Sequence, residues 1–559
     1  MEKKRRSGLS IMASLIGLVK PLLGVMIGAI TLGTLGFLCA IFLTIIASQI
    51  ILSGLGLSTL AVKSLIIVMA VFAVGRGLLH YAEQYCNHYI AFKLLAIIRH
   101  KIFVALRRLC PAKLEVKDKG NLISIITTDI ELLEVFYAHT ISPIIIAILT
   151  CLVMILYIGS YSVIAAIFAT LFYIIVGVLI PLFNGKMGGN DGLVFRNRFG
   201  DLNSYVLESL RGLDETIQYD DGEKRKAETE EKSNYLANIQ KKLSHMEGWQ
   251  RTITNFAILA GSFGMLFLTV HLNAIGSLSF NGVVICTVAM MGSFGPVVAL
   301  SNLSNNLNQT LAAGERVLSI LEEEPVVLDV EKLDGVAMDG EKEFEGANAS
   351  HVNFAYTDET ILNDFSMKIE PGKIVGIHGG SGSGKSTFLK LLMRFWDVKK
   401  GSIEINGHNI KEIATTDLRN MESFVTQETH LFKDTIAGNI AIGKKDATMD
   451  EIIKAAKSAS IHEFIMSLPD GYETQVGELG DTLSGGEKQR IGIARALIHD
   501  APLILMDEPT SNLDSLNECI ILKSLKESAK EKTVVLVSHR KSTMNVADTV
   551  YQMEKGRVS

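Results

Sequence analysis

The octapeptide Gly379-Gly380-Ser381-Gly382-Ser383-Gly384-Lys385-Ser386 restricts the fold of this 559-residue chain more than any other stretch. Its G-x-x-x-x-G-K-S spacing is a phosphate cradle when a buried strand runs into it and a helix leaves it. Both flanks read that way. Lys373-Ile374-Val375-Gly376-Ile377-His378 is a buried-strand pattern, and Thr387-Phe388-Leu389-Lys390-Leu391-Leu392 opens a helix. The glycines let backbone N–H groups crowd round a triphosphate, Lys385 adds positive charge, and the Ser386 hydroxyl is placed for Mg²⁺, with Thr387 beside it. About a hundred residues later stands Leu483-Ser484-Gly485-Gly486-Glu487, a second glycine pair that few nucleotide-binding chains combine with the first motif.

The rest of the second half supplies polar groups in the pattern phosphoryl transfer needs. Leu503-Ile504-Leu505-Met506 is a buried strand that delivers Asp507 to the Mg²⁺ shell, and Glu508 follows to polarise an attacking water. Gln427, after Ser423-Phe424-Val425-Thr426, suits a loop that senses both metal and water. His539, after the apolar strand Thr533–Ser538, is placed to bond a γ-phosphate and hold that water. Tyr356 ends the alternating stretch Val352-Asn353-Phe354-Ala355-Tyr356 ahead of the glycine loop, where it can stack on a base or remain an edge aromatic. The catalytic set is therefore Glu508, His539 and Gln427, with Ser386, Gln427 and Asp507 toward the metal.

Mean hydropathy is +0.30 although the glycine-loop half reads as an ordinary soluble domain, so the apolar excess lies in the first half. Apolar runs at about Leu22–Leu52, Leu60–Leu79, Tyr137–Ile158, Tyr161–Phe183, Thr252–Val270 and Gly282–Leu300 approach the ~20 residues that cross a bilayer. The short connections Ser53–Thr59, Gly159–Ser160 and His271–Asn281 carry no Lys or Arg, whereas His80–Phe136 and Asn184–Arg251 carry many. The positive-inside bias turns the long connections and both termini toward the cytoplasm, and places the chain in a cell membrane as a multi-pass protein. The basic start, Met1–Arg6, leads into an interfacial helix that breaks at Lys20-Pro21. Amphipathic spacing in 202–210 and 239–243 predicts helical extensions into the cytoplasm. Glu322-Glu323-Glu324-Pro325 marks the boundary between a transmembrane domain, residues 1–320, and a nucleotide-binding domain, residues 321–559. The fold class is a membrane all-α six-helix domain followed by an α/β P-loop ATPase domain. A net charge of −5 gives no basic field for nucleic acid, and the six scattered cysteines form no metal or disulfide pattern.

These motifs resemble the ABC exporter family along nearly the whole chain. Thr474-Gln475-Val476-Gly477-Glu478-Leu479-Gly480 is similar to that family's T-x-V-G-E-x-G segment, and Ser511-Asn512-Leu513-Asp514 to its D-loop. The resemblance implies that ATP lies between one subunit's glycine loop and its partner's Ser484-Gly485-Gly486-Glu487, so one motif of each kind makes a half-transporter that dimerises. Within exporters the chain resembles the CydC half of bacterial CydDC transporters, through His80–His88 with Phe92, Leu109–Leu114, Ile141-Ser142-Pro143 and Leu497–Pro502. That likeness implies a CydD-like partner, or a second copy, in the bacterial inner membrane. It also implies a thiol (cysteine or glutathione) or haem-related substrate, with His88 as a haem contact. A drug, lipid or peptide exporter is the alternative, and an ATP-binding regulatory subunit is another. Independently of the likeness, Arg76, His80, Glu83 and Asn87 recur on one helix face. They read either as a substrate contact or as an ion pair, Arg76 with Glu83 and His80 between, that ties helices together.

Overall fold

The computed structural model describes residues 6, 8–112, 119–330, 343–356, 359–477, 483–511, 515–528 and 532–558. The chain divides into two compact units. One runs to Glu323; the other starts at Glu324 and includes the short stretch Leu109–Ala112.

The first unit is helical because its sequence offers long apolar stretches with few breakers. Helix α1 (Gly8–Gly17) buries Ile11 and Leu15 one turn apart, and the Tyr137 hydroxyl donates to the Leu15 carbonyl at 3.1 Å. Arg6 is tied to Glu322 and, at 3.7 Å, to Glu315. Pro21 stands at the start of a 3₁₀ turn, Lys20–Leu22, where its missing N–H costs nothing. The long helices follow: α2 (Leu23–Gly54), α3 (Val62–Leu109), α4 (Ser142–Gly159), α5 (Val163–Ile174), α6 (Ile180–Arg211), α7 (Gly222–Ala274) and α8 (Phe280–Leu321). Among the described residues, six stretches are long and apolar enough to cross a membrane: Lys20–Gly54, Val62–Leu109, Ser142–Gly159, Val163–Phe183, Gly222–Ala274 and Phe280–Leu300.

The third stretch starts five residues later than its sequence suggests. Tyr137–Ile141 forms a π turn that runs into α4, and its tyrosine is buried with its hydroxyl on α1. Close packing explains a glycine in α2. A Cβ on Gly33 would lie 2.4 Å from Ile146 Cδ1 and 3.0 Å from Glu83 Cγ. A few polar pairs sit inside the apolar bundle, such as Tyr173 Oη with Ser293 Oγ at 2.5 Å.

The second unit is built on two sheets. Strands β1 (Ala347–Phe354), β2 (Leu362–Ile369), β4 (Lys400–Ile405) and β5 (His408–Asn409) make an antiparallel sheet ordered β2-β1-β4-β5. Strands β3 (Ile374–His378), β6 (Glu422–Val425), β7 (Leu503–Asp507), β8 (Thr533–Ser538), β9 (Thr549–Glu554) and β10 (Arg557–Val558) make the other, ordered β10-β9-β3-β8-β7-β6. Its inner ladders are parallel. Buried on both faces, β7 and β8 read as continuous apolar runs, not alternations. One core, with Phe365, Phe388 and Leu389, fills the space between the sheets. A second, with Ile436, Ile491 and Ile504, lies under the helices on the opposite face. The carboxyl ends of β3, β7 and β8 converge, and ligands of open parallel sheets bind there.

Candidate active site

The glycine loop leaves β3 and turns into helix α9 (Lys385–Leu392). Gly384 has φ +101°, a backbone that side chains rarely adopt, which aims the following N–H groups inward. Gly379 has no room for a side chain, since a Cβ would come within 2.3 Å of the Met553 carbonyl oxygen. Lys385 is 5% exposed, and its Nζ donates to the carbonyls of Gly379 (3.0 Å) and Gly380 (2.7 Å). Burial holds this ammonium below its usual pKa, and the carboxylates of Glu508 and Asp507 oppose that shift. A buried ammonium held on two glycine carbonyls is an attractive site for a polyphosphate.

Ser386 Oγ donates to Asp507 Oδ1 at 2.9 Å, so the helix start and the end of β7 meet. Burial raises the Asp507 pKa, Ser386 counters through its hydrogen bond, and the nearby Glu508 charge adds to the rise. A hydroxyl and a carboxylate side by side form a hard-oxygen donor pair that fits Mg²⁺. Bound there, the ion would neutralise charge developing on phosphate oxygens.

Glu508 follows directly and is held at φ +48°. Its N–H donates to the Val537 carbonyl at 2.9 Å, and its own carbonyl accepts from Gln489 Nε2 at 3.1 Å. The carboxylate meets His539 Nδ1 at 3.0 Å through Oε1 and Gln427 Nε2 at 3.4 Å through Oε2. Glu508 is largely covered while Gln427 and the His539 ring are exposed, so one side of the carboxylate stays open. A carboxylate fixed by an imidazole and an amide can take the proton of a water attacking phosphorus. Tyr356 is half-buried, with its hydroxyl 3.4 Å from Thr387 Oγ1 and its ring edge-on to Phe354 and Trp396.

The second motif opens helix α10 (Gly485–His499). Ser484 and Gly485 are exposed, and Gly486 is half-buried. Ser484 and Glu487 close a reciprocal capping box, Ser484 N–H to Glu487 Oε2 at 2.7 Å and Glu487 N–H to Ser484 Oγ at 3.4 Å. Glu487 is thus committed to its own helix start. Glu478–Gly480 and Asn512–Asp514 lie outside the described residues.

Sequence reasoning missed three groups that the fold brings in. Gln489 is buried and touches the Glu508 backbone. Buried Glu518 accepts from Thr510, Thr543 and Arg540, which joins the segments after Glu508 and His539. His378 bonds the Ser538 carbonyl. None carries a motif; only the sheet order makes them neighbours.

The polar face of α3 divides differently from its spacing. Glu83 and Asn87 are buried, whereas Arg76 and His80 are exposed. Glu83 bonds His80 Nδ1 (3.1 Å), Gln84 Nε2 (3.4 Å) and Asn87 Nδ2 (2.9 Å). Among the described residues no ion pair joins Arg76 to Glu83. Seven residues span about 10 Å of helix, too far for contact, while His80 is one turn away. His88 lies 3.9 Å from Glu134 and stacks on Phe92, with ring centroids 6.1 Å apart. Exposed Tyr81, Tyr85, Tyr89 and Phe92 line a groove of about 650 Å³ together with His88 and Lys93.

Comparison with known proteins gives a consistent picture. The ABC transporter model matches residues 362–511, and the ABC transporter transmembrane region matches residues 22–297. A probable ABC transporter ATP-binding/permease protein of Haemophilus influenzae is 47% identical over 556 residues, covering 99% of this chain and all of that protein. A putative multidrug export ATP-binding/permease protein of Bacillus subtilis, YgaD, is 32% identical over 91% of this chain and 88% of its own length. An ATP-dependent lipid A-core flippase of Legionella pneumophila is 31% identical over 89% and 84%. The solved structure of a bacterial Atm1-family ABC exporter with ATP bound superposes with a TM-score of 0.84 at 25% identity, covering 97% of this chain and 94% of that one.

Proposed function

This chain belongs to the ABC transporter family, and from that membership we propose a half-transporter that pairs with a second copy to export a ring-bearing or lipid-like amphiphile. It is a multi-pass membrane protein whose ATPase unit couples hydrolysis to transport. On this proposal the transmembrane domain is residues 1–320 and the ATPase domain residues 321–559, three residues before the two compact units part, with both termini cytoplasmic. In this reading Gly379–Thr387 and Tyr356 bind ATP, while Ser386, Asp507 and Gln427 serve Mg²⁺. Glu508, His539 and Gln427 carry hydrolysis, and Ser484, Gly485 and Gly486 reach the ATP held by the partner.

The substrate class rests on the α3 groove. Four exposed aromatic rings spaced along one helix, with Lys93 beside them, offer stacking surface and one positive charge. That surface suits an apolar body bearing an anionic group. The similarity to proteins described as a lipid A-core flippase and a multidrug exporter supports the same class.

A second reading follows from His88. Its half-exposed ring stands on the groove, stacked on Phe92, where it could contact haem. A CydC-like subunit with a CydD-like partner, moving a thiol or haem-related compound, would use it. ATPase turnover in lipid separates the two. Stimulation by lipid-like amphiphiles or drugs, lost in Tyr85→Ala and Tyr89→Ala, supports the first. Stimulation only by haem, cysteine or glutathione, with haem loss in His88→Ala, sinks it in favour of the second.

A further inference from the structure

We propose that His378 is a positioning residue for ATP hydrolysis: its ring holds the Ser538 carbonyl and thereby orients His539. His378 is the last residue of β3, in parallel register with Ser538 on β8 and Gln552 on β9. Beyond it the chain turns into the glycine loop, because Gly379 is wedged against the Met553 backbone. No further backbone N–H of β3 extends the ladder, yet β8 still presents carbonyls at this end. Val537 O is taken by the Glu508 N–H at 2.9 Å. Ser538 O, one residue on, accepts from His378 Nδ1 at 3.2 Å. A side chain thus supplies the donor that the backbone cannot.

Ser538 is 2% exposed, so its carbonyl needs a partner. Its Oγ accepts from the Arg540 N–H at 3.0 Å. Between these two anchors lies the peptide that carries His539. His539 Nδ1 stands 3.0 Å from Glu508 Oε1, while the rest of its ring faces solvent. Little else fixes the imidazole, so the rotation of the Ser538–His539 peptide decides where the ring points. His378 touches neither nucleotide nor water in this arrangement; it acts through His539. Because His378 adjoins Gly379, the first residue of the phosphate cradle, the cradle and the γ-phosphate contact share one rigid link.

Misplacing a catalytic group by about 1 Å can cost up to ~100-fold in rate. For the full-length protein in lipid vesicles, His378→Val is expected to lower kcat for ATP about tenfold and leave KM within about twofold. His378→Asn puts an amide N–H where Nδ1 stood and should recover most of the rate. His378→Gln carries its amide one bond further out and should fold but remain slow. His378→Val added to His539→Ala should slow the enzyme no further than His539→Ala alone. Wild-type turnover in His378→Val or His378→Gln overturns the proposal. So does an Asn variant as slow as the valine one, or an additive loss in the double variant. Should the valine variant fail to fold, the Asn and Gln pair carries the same decision.

Discussion

Glu508, the proposed base, sits on a strained backbone. A non-glycine residue at φ +48° costs free energy, and the surrounding bonds to Val537, Gln489, His539 and Gln427 keep it there. Glu508→Gln keeps the shape and one acceptor but cannot take a proton. Turnover should fall at least ~100-fold while ATP still binds; phosphate release and nucleotide binding measured on the same sample check this. Glu487 makes the opposite case. Its carboxylate caps α10, so Glu487→Gln, which keeps a capping box, should be silent. Glu487→Ala should destabilise the ATPase unit by about 1 kcal/mol in thermal unfolding. A turnover defect in the Gln variant without loss of stability would return Glu487 to the nucleotide. The glycine loop and the Asp507-Glu508 pair were readable because their meaning is local, a strand and a turn away. Gln489, Glu518 and His378 were not, because their partners lie 8 to 160 residues off and only the tertiary fold joins them.

At the scale of elements, buried charge is the sensitive quantity. Glu422 opens β6 at 2% exposure, and burial pushes its carboxyl up to about 8 although Arg419 donates to it at 2.6 Å. Arg419 is partly solvated, so burial wins over the ion pair. With the folded pKa above the unfolded one, the stabilisation is complete below the ordinary carboxyl range and is lost as pH rises through about 8. The unfolding temperature of wild type should therefore decline from about pH 5 to about pH 9 more steeply than that of Glu422→Gln. Parallel curves would refute it. In the helical unit, buried Asp129 forms an ion pair with Arg316, Nε standing 3.1 Å from Oδ2, and burial raises its pKa against Arg316 and Arg196. Arg316→Ala leaves that carboxylate with Arg196 as its remaining cation and should cost about 2 kcal/mol, discounted for the partial exposure of Arg316. Asp129→Asn should cost less; thermal inactivation in detergent ranks the two. The apolar spans were legible because a bilayer demands length and composition alone. The polar stripe of α3 was legible as a stripe, but its pairing was not. Helical rise separates Arg76 from Glu83, which packs beside Gly33 and takes its bonds from His80 and Asn87 instead.

At the scale of the whole molecule, each chain carries one glycine loop and one Ser484-Gly485-Gly486 motif, and both are intact. If each ATP is shared between the glycine loop of one copy and the second motif of the other, defects in different halves must complement. Lys385→Ala destroys the cradle but keeps the motif that serves its partner. Ser484→Arg, which puts a large cation at the exposed start of α10, blocks the motif but keeps the cradle. Either variant alone should be nearly inactive, since every site in its dimer combines one good and one damaged half. A mixed dimer, purified through two different tags, holds one site with both halves intact and one with both damaged. It should recover about half of wild-type turnover if the sites work independently. Strong coupling would lower turnover further, yet one nucleotide per dimer should still be trapped when Glu508→Gln is added to both chains. Failure to form the mixed dimer, or to trap any nucleotide, would argue against pairing of identical copies. The same chain would then need a different partner, and co-purification from its native membrane would be expected to yield a second half-transporter in equal amount.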